Sequence, residues 1–315
     1  MTEMKKYWLI TTEHLEDALW FRDDEDFITG MNYVAIQAAL TPGVIVLVFI
    51  LMSNHVHFVL YGTREEVETF VNEFKKRYSV YYSARWGIKK FLKHNGLDIK
   101  EIPYNDEAPE RAIAYVQMNC VAANICLHPG QYPWGTGNCF FNPSAMRTNP
   151  SMDSTGPVTG SRQIQSIQTG YTRVGDLSAR SRQRLLHSTC TKLPANWQIG
   201  PEGFILPQEY VDVKAVERLY RTPKRFNYFL NTSSKARKRL ETEQHLPAFQ
   251  DQVILAALPD LCRSLFGKDT FAELSSEEQA ECMRQIRFRF SADVNQVARI
   301  CGLTYADAAS RMDSF

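Results

Sequence analysis

The sequence lacks the long hydrophobic runs that membrane proteins carry. Its longest uninterrupted apolar stretch, residues 44–52, has nine residues, whereas a helix needs roughly 20 to cross a bilayer. The first residues show no apolar segment of signal-peptide length followed by small residues, so export is not expected. The sequence therefore predicts a cytoplasmic protein that has no membrane partner.

Paired cysteines are also missing. The seven cysteines are scattered along the chain, and no two of them form a Cys-x-x-Cys pair. This pattern indicates neither a disulfide framework nor a zinc ribbon, and it fits a reducing compartment.

Positive and negative charges nearly balance over the whole chain, which has a net charge of +1, but they are unevenly distributed along it. Residues 161–240 contain 15 Lys and Arg against 5 Asp and Glu, whereas residues 1–160 contain 14 against 18 and residues 241–315 contain 7 against 12. A basic segment of this kind either contacts a polyanion such as nucleic acid or forms a solvated surface. The charge pattern alone leaves both interpretations open.

The first 141 residues alternate between strand-like and helix-like patterns. Runs rich in β-branched and aromatic residues predict strands, and amphipathic or capped stretches predict helices. The predicted strands are residues 7–11, 44–52, 55–61 and, as a candidate, 98–103, and the predicted helices are residues 24–40, 64–86 and 109–126. This order implies an α+β fold with helices on one face of a mostly antiparallel sheet.

Residues 142–170 are rich in Asn, Pro, Ser, Thr and Gly, which predicts a linker. The predicted domains are therefore a first domain over residues 1–141, the linker over 142–170, and a basic, mainly helical region over 171–315. Near its end, residues 294–312 have the pattern either of a helix-turn-helix or of a plain helical hairpin.

Two histidines two positions apart are the first candidate for chemistry. His55 and His57 lie on a predicted strand, so both side chains leave the same face of the sheet. That spacing allows both rings to bind one cation, although a His-x-His pair is more often structural.

The helix predicted at 109–126 adds two further candidates. Tyr115 and Asn119 are four residues apart and share one helical face. Asn119 offers a neutral oxygen ligand and Tyr115 offers a nucleophile, provided that its hydroxyl loses its proton as it attacks. A tyrosine on a helix is more often a packing residue.

Three ordered motifs carry a resemblance to a known family. Residues 51–60, Leu-Met-Ser-Asn-His-Val-His-Phe-Val-Leu, resemble the Met-Pro-Asn-His-Val-His-Leu-Leu segment of the REP-associated tyrosine transposases and their insertion-sequence relatives. Residues 115–124 with 131–134 are similar to that family's Tyr-Ile-His-Leu-Asn-Pro-Val-Arg-Ala and Tyr-Pro-Trp-Ser, and residues 20–27 resemble its first-helix entrance. The resemblance covers about residues 7–136. This sequence departs from the family at Ser53 and Cys120, where proline is favoured, and at Ala122, where arginine is usual.

The resemblance implies a ferredoxin-like HUH domain that nicks and rejoins single-stranded or hairpin DNA. It implies Tyr115 as the nucleophile of a 5′-phosphotyrosine intermediate, His55, His57 and Asn119 as metal ligands, and Mg²⁺ or Mn²⁺ as the cofactor. Such a protein is expected to be associated with the nucleoid and to act as a monomer or homodimer.

The basic region supplies the candidate DNA contacts, because arginine and lysine interleaved with aromatic residues suit a single strand. The candidates are Arg221, Lys224, Arg225, Lys235, Arg237, Lys238 and Arg239. Two rival functions remain: a catalytically inactive regulator that binds DNA hairpins, and a metal-dependent phosphodiesterase that forms no covalent intermediate.

If the cluster Lys235, Arg237, Lys238 and Arg239 binds phosphate, its replacement by alanine should weaken DNA binding about equally for all sequences. Each lost contact should lower the slope of log affinity against log salt concentration by roughly 0.7 to 0.9. Binding measured at several salt concentrations checks this, and an unchanged slope would assign the cluster to the solvated surface.

Overall fold

The computed structural model describes residues 4–105, 107–142, 170–236 and 249–313. Most of the predicted linker, residues 143–169, lies outside these ranges, as do Arg237, Lys238 and Arg239. None of the helices within the described ranges is long and apolar enough to cross a membrane.

A four-stranded antiparallel sheet forms the centre of the first domain. Its strands are β1 (Lys6–Thr12), β2 (Ile45–Met52), β3 (His55–Gly62) and β4 (Leu97–Ile102), arranged in the order β2-β3-β1-β4. Ser53 and Asn54 form the two-residue connection between β2 and β3. The predicted α+β class is confirmed, and so is the antiparallel sheet.

Two long helices cover one face of the sheet. Helix α1 (Asp24–Leu40) begins at Asp23, whose carboxylate accepts from the backbone N–H of Asp26. Helix α2 (Arg64–Trp86) begins with a capping box made by Thr63 and Glu66, which satisfies N–H groups of the first turn. Both helices have the bounds that the sequence predicts.

The helix predicted over 109–126 is shorter and divided. It forms α3 (Ala108–Gln117) and the short α4 (Asn119–Ala122). Continuation to residue 126 is prevented at Asn124, whose φ of 55° lies in the left-handed region.

The region predicted over 171–315 does not pack as one helical unit. Its first part, residues 171–236, which keeps the name basic region, contains a two-stranded antiparallel sheet that the sequence did not predict, together with helices that bury side chains in the same core as the first domain. Its elements are β5 (Thr172–Arg173), α5 (Ala179–Leu186), β6 (Gln198–Ile199), α6 (Val213–Tyr220) and α7 (Pro223–Thr232). Asp212 donates its backbone N–H to the carbonyl of Val46 at 2.9 Å, and the Tyr220 hydroxyl donates to the carbonyl of Glu110 at 2.6 Å.

The last four helices surround a core of their own. They are α8 (Asp251–Phe266), α9 (Ser276–Phe290), α10 (Val294–Cys301) and α11 (Tyr305–Asp313). Gly302, with φ of 68°, ends α10 in the left-handed conformation that glycine adopts without strain. Residues 251–313 are called the C-terminal helical unit below.

The two cores predict separate responses to mutation. Ile286 is fully buried in the core of the C-terminal helical unit, and Ile286→Ala should cost about 2–5 kcal/mol of stability there. Hydrogen exchange measured by mass spectrometry should show faster exchange in α9 and α10 and little change in β1 to β4. Phe288→Ala, at an exposed neighbouring position, is the control. Equal acceleration in both cores would contradict the division.

Candidate metal and nucleophile site

The alternation of β3 places both histidines on the sheet face opposite α2. The Phe58 ring points to α2, where it lies 5.9 Å from the ring of Phe74. The ring of His57, one position earlier, lies 5.8 Å from that of Tyr115 in α3. His55 is two residues from His57 and shares its face.

The two imidazoles meet through their Nε2 atoms, which are 3.0 Å apart. His55 Nδ1 lies 2.8 Å from Asn54 Oδ1; this oxygen only accepts, so His55 carries its proton on Nδ1 and has a lone pair on Nε2. His57 Nδ1 lies 2.8 Å from the Thr11 hydroxyl, whose oxygen accepts a hydrogen bond when His57 carries its proton on Nδ1. Both rings therefore have the outer partners that free Nε2 for a cation.

Burial keeps both histidines uncharged. Desolvation lowers the pKa of His57 to about 3, and electrostatic interactions with Lys235 and His14 act in the same direction, opposed by the hydrogen bond that His57 makes with Asn119. Desolvation also holds the pKa of His55 well below its usual range, with His57 as the next cause. Neutral imidazole is the form that binds metal, so no proton has to be displaced by the ion at neutral pH.

His14 is a third histidine that the sequence analysis missed. It follows β1, and the ligand nitrogens of His14, His55 and His57 all lie within 4.8 Å of one another. Its ring stacks on that of His55 with the centroids 3.6 Å apart. The backbone of Leu15 donates to the Asn54 carbonyl at 3.1 Å, and the Asn54 amide donates to the Leu15 carbonyl at 2.7 Å. The antiparallel pairing of β1 with β3, which aligns Thr11 with His57, is the feature that places His14 near both strand histidines.

Asn119 and Tyr115 approach the histidines from α3 and α4. The Asn119 amide nitrogen donates to the carbonyls of Tyr115 and Val116, at 2.9 and 3.2 Å, so its donor side is held by the helix. Its hydrogen bond with His57 raises the pKa of that histidine. Burial raises the pKa of the half-buried Tyr115, and Lys100 opposes this shift. The Tyr115 hydroxyl therefore keeps its proton at neutral pH until it reacts.

Lys235 is the member of the predicted basic set that the structure places at this site. Its Nζ lies 4.7 Å from the centre of the Tyr115 ring, and its charge acts on both strand histidines. Arg237, Lys238 and Arg239 lie outside the described residues.

Three other predicted DNA contacts lie elsewhere. Arg221 and Lys224 are exposed, and neither lines the described part of the cleft beside His55. Arg225 pairs with Glu107 at 2.9 Å and with Glu110 at 3.2 Å. The charge of Arg225 is therefore compensated within the protein, between α7 and the start of α3.

The donor set fits a divalent cation. Three imidazoles and an amide oxygen suit Mn²⁺ or Zn²⁺ at least as well as Mg²⁺, which prefers oxygen ligands. His55 and His57 hold the central positions, and His14 and Asn119 border them.

Because folding depresses the pKa of His57, the contribution of His57 to the free energy of unfolding should decrease as the pH falls. An unfolded chain takes up a proton at a pKa near 6.5, whereas the folded protein does not until about pH 3. Between these limits the His57 contribution should decline by about 1.4 kcal/mol per pH unit. The difference in unfolding free energy between wild type and His57→Asn, measured in EDTA at pH 7 and pH 5, should shrink accordingly. A pH-independent difference would contradict the depressed pKa.

The comparisons with known proteins are sparse. No family model matches the chain, and no curated protein matches it significantly. A solved structure described as a REP-associated tyrosine transposase bound to a REP hairpin is similar, with a TM-score of 0.33 and 16% identity. The similarity covers 51% of this chain and 92% of the other. A similarity at this level does not identify a function.

Proposed function

We propose that this protein is a metal-dependent enzyme that nicks and rejoins single-stranded or hairpin DNA through a tyrosine intermediate, as a transposase does. The observation that carries the proposal is the position of Tyr115 beside a buried pair of neutral histidines. The centre of its ring lies 5.8 Å from that of His57. A nucleophile beside a cation site is an arrangement suited to metal-assisted covalent phosphoryl transfer.

Cleavage transfers a phosphoryl group from DNA to the tyrosine. The Tyr115 hydroxyl oxygen attacks the phosphorus, a new P–O bond to tyrosine forms, and the bond to the 3′ oxygen of the preceding nucleotide breaks. The tyrosine loses its proton and the departing 3′ oxygen gains one, so the products are a 5′-phosphotyrosine and a free 3′-hydroxyl. Joining is the reverse attack by a 3′-hydroxyl.

The surrounding charges favour this step. His55 and His57, with His14 or Asn119, would hold a divalent cation, which would supply electrostatic stabilisation of the phosphate. Lys235, 4.7 Å from the Tyr115 ring centre, offsets negative charge on the phenolate and on the phosphate as the new bond forms. Lys235 therefore acts at the reacting groups as well as being a candidate DNA contact.

Mg²⁺ and Mn²⁺ are the proposed cofactors, and Mn²⁺ accepts the imidazole ligands more readily. The intact set of ligands and nucleophile favours an enzyme over the inactive regulator. A phosphodiesterase that forms no covalent intermediate would leave Tyr115 without a role.

The experiment is a search for a covalent protein–DNA adduct. Full-length protein is incubated with Mn²⁺ and a library of single strands that fold into imperfect hairpins, and adducts are detected on a denaturing gel. Tyr115→Phe should retain DNA binding but reduce adduct formation by roughly a thousandfold or more, because the nucleophile is lost. The control is Tyr104→Phe, which removes a hydroxyl from an exposed tyrosine and should leave the adduct unchanged.

The same assay tests the metal ligands. His55→Ala and His57→Ala should each remove the metal-dependent adduct, and comparison of His14→Ala with Asn119→Ala should identify the third ligand. A wild-type level of adduct from Tyr115→Phe, or an adduct formed equally well in EDTA, would overturn the proposal.

A further inference from the structure

A cavity of about 530 Å³ opens beside His55, and its two walls come from different parts of the chain. One wall includes His14, Asn54 and Asn119 of the first domain and Lys235 from the segment after α7. The opposite wall belongs to the C-terminal helical unit and includes Asn295, Gln296, Arg299 and Tyr305. His14, His55 and Asn119 all line the cavity, so it borders the histidine site.

The second wall is attached to the turn that precedes His55. The Ser53 hydroxyl donates to Asp251 Oδ2 at 2.6 Å, and the same carboxylate pairs with Arg299 at 3.2 Å. Gln252 adds a hydrogen bond to the carbonyl of Phe21 at 2.7 Å. Asp251 is buried, so breaking these contacts would leave a buried charge partly unpaired, which is costly. The wall is therefore fixed relative to the histidines.

Position 53 is one of the places where the sequence departs from the motif it resembles. Proline at that position has no hydroxyl, so it would not make the bond to Asp251. The serine thus ties the C-terminal helical unit to the strand turn of the site.

The lining has the chemistry of a nucleotide site. The exposed amide of Asn295 can donate and accept at a base edge, Tyr305 offers a ring for stacking, and Lys235 suits a phosphate. Cavities of roughly 300–1,000 Å³ enclose one small organic ligand, and 530 Å³ lies within that range. A single nucleotide fits this description, and a double helix does not.

We infer that this cavity holds one unpaired nucleotide next to the phosphate that Tyr115 attacks, and that Asn295 and Tyr305 contact its base. The inference rests on the proposed function. It makes the C-terminal helical unit part of substrate selection, with preference for a base at one position of the single strand.

Binding without cleavage tests the inference. Fluorescein-labelled random-sequence single strands are titrated with full-length protein in EDTA, and the bound fraction is sequenced. Tyr305→Ala should weaken binding by about fivefold or more, because stacking on one base is lost, and Tyr305→Phe should restore it. Asn295→Ala should remove a base preference at a single position. Phe288→Ala, which removes an exposed aromatic ring of the same unit away from the cavity lining, should behave as wild type.

The outcomes separate the two proposals. Wild-type affinity and base preference in both Tyr305→Ala and Asn295→Ala would overturn the nucleotide site, even if Tyr115 forms an adduct. Absence of single-strand binding by the wild-type protein would overturn it as well. Loss of binding in Tyr305→Ala, with rescue by Tyr305→Phe but no adduct under any metal condition, would support the nucleotide site and contradict the nicking function.

Discussion

Two imidazole Nε2 atoms of one strand lie 3.0 Å apart in a buried position, and this distance limits where the two rings can carry their protons. Asn54 fixes the His55 proton on Nδ1. His57 either donates its Nε2 proton to His55 or carries its proton on Nδ1, next to Thr11. Only the second arrangement would offer two lone pairs to a shared cation. The first holds the two rings in the same geometry without a cation.

The elements around this pair come from distant parts of the sequence. Helix α3 brings Tyr115, and the segment after α7 brings Lys235 to its ring. The position of α3 depends in turn on the basic region, because Tyr220 and Arg225 bind Glu110 near its start. The basic region therefore positions α3 as well as supplying positive charge. Its formal charge is larger than the positive charge it exposes, since the charge of Arg225 is compensated internally.

Much of the fold follows from local sequence, and part of the site does not. A run rich in β-branched and aromatic residues predicts β3, and the alternation of side chains along a strand predicts the shared face of His55 and His57. His14 escaped because its proximity depends on strand pairing between β1 and β3, which periodicity does not encode. The short strands β5 and β6 escaped because two residues carry no pattern. The contact of Ser53 with Asp251 joins residues 198 positions apart, and only the folded chain reveals it.

The buried histidines also bear on the choice between enzyme and DNA-binding regulator. A surface that only binds phosphate works best with solvated, charged side chains. Here burial lowers the pKa of both histidines, so neither contributes a positive charge toward DNA at neutral pH. Their uncharged state lowers the stability of the folded protein in acid, and it does not help a protein that only binds DNA. A cation bound between the two rings would place positive charge next to Tyr115. Binding by the basic residues alone leaves the buried, neutral histidines unexplained, whereas the proposed metal-dependent attack by Tyr115 would use them.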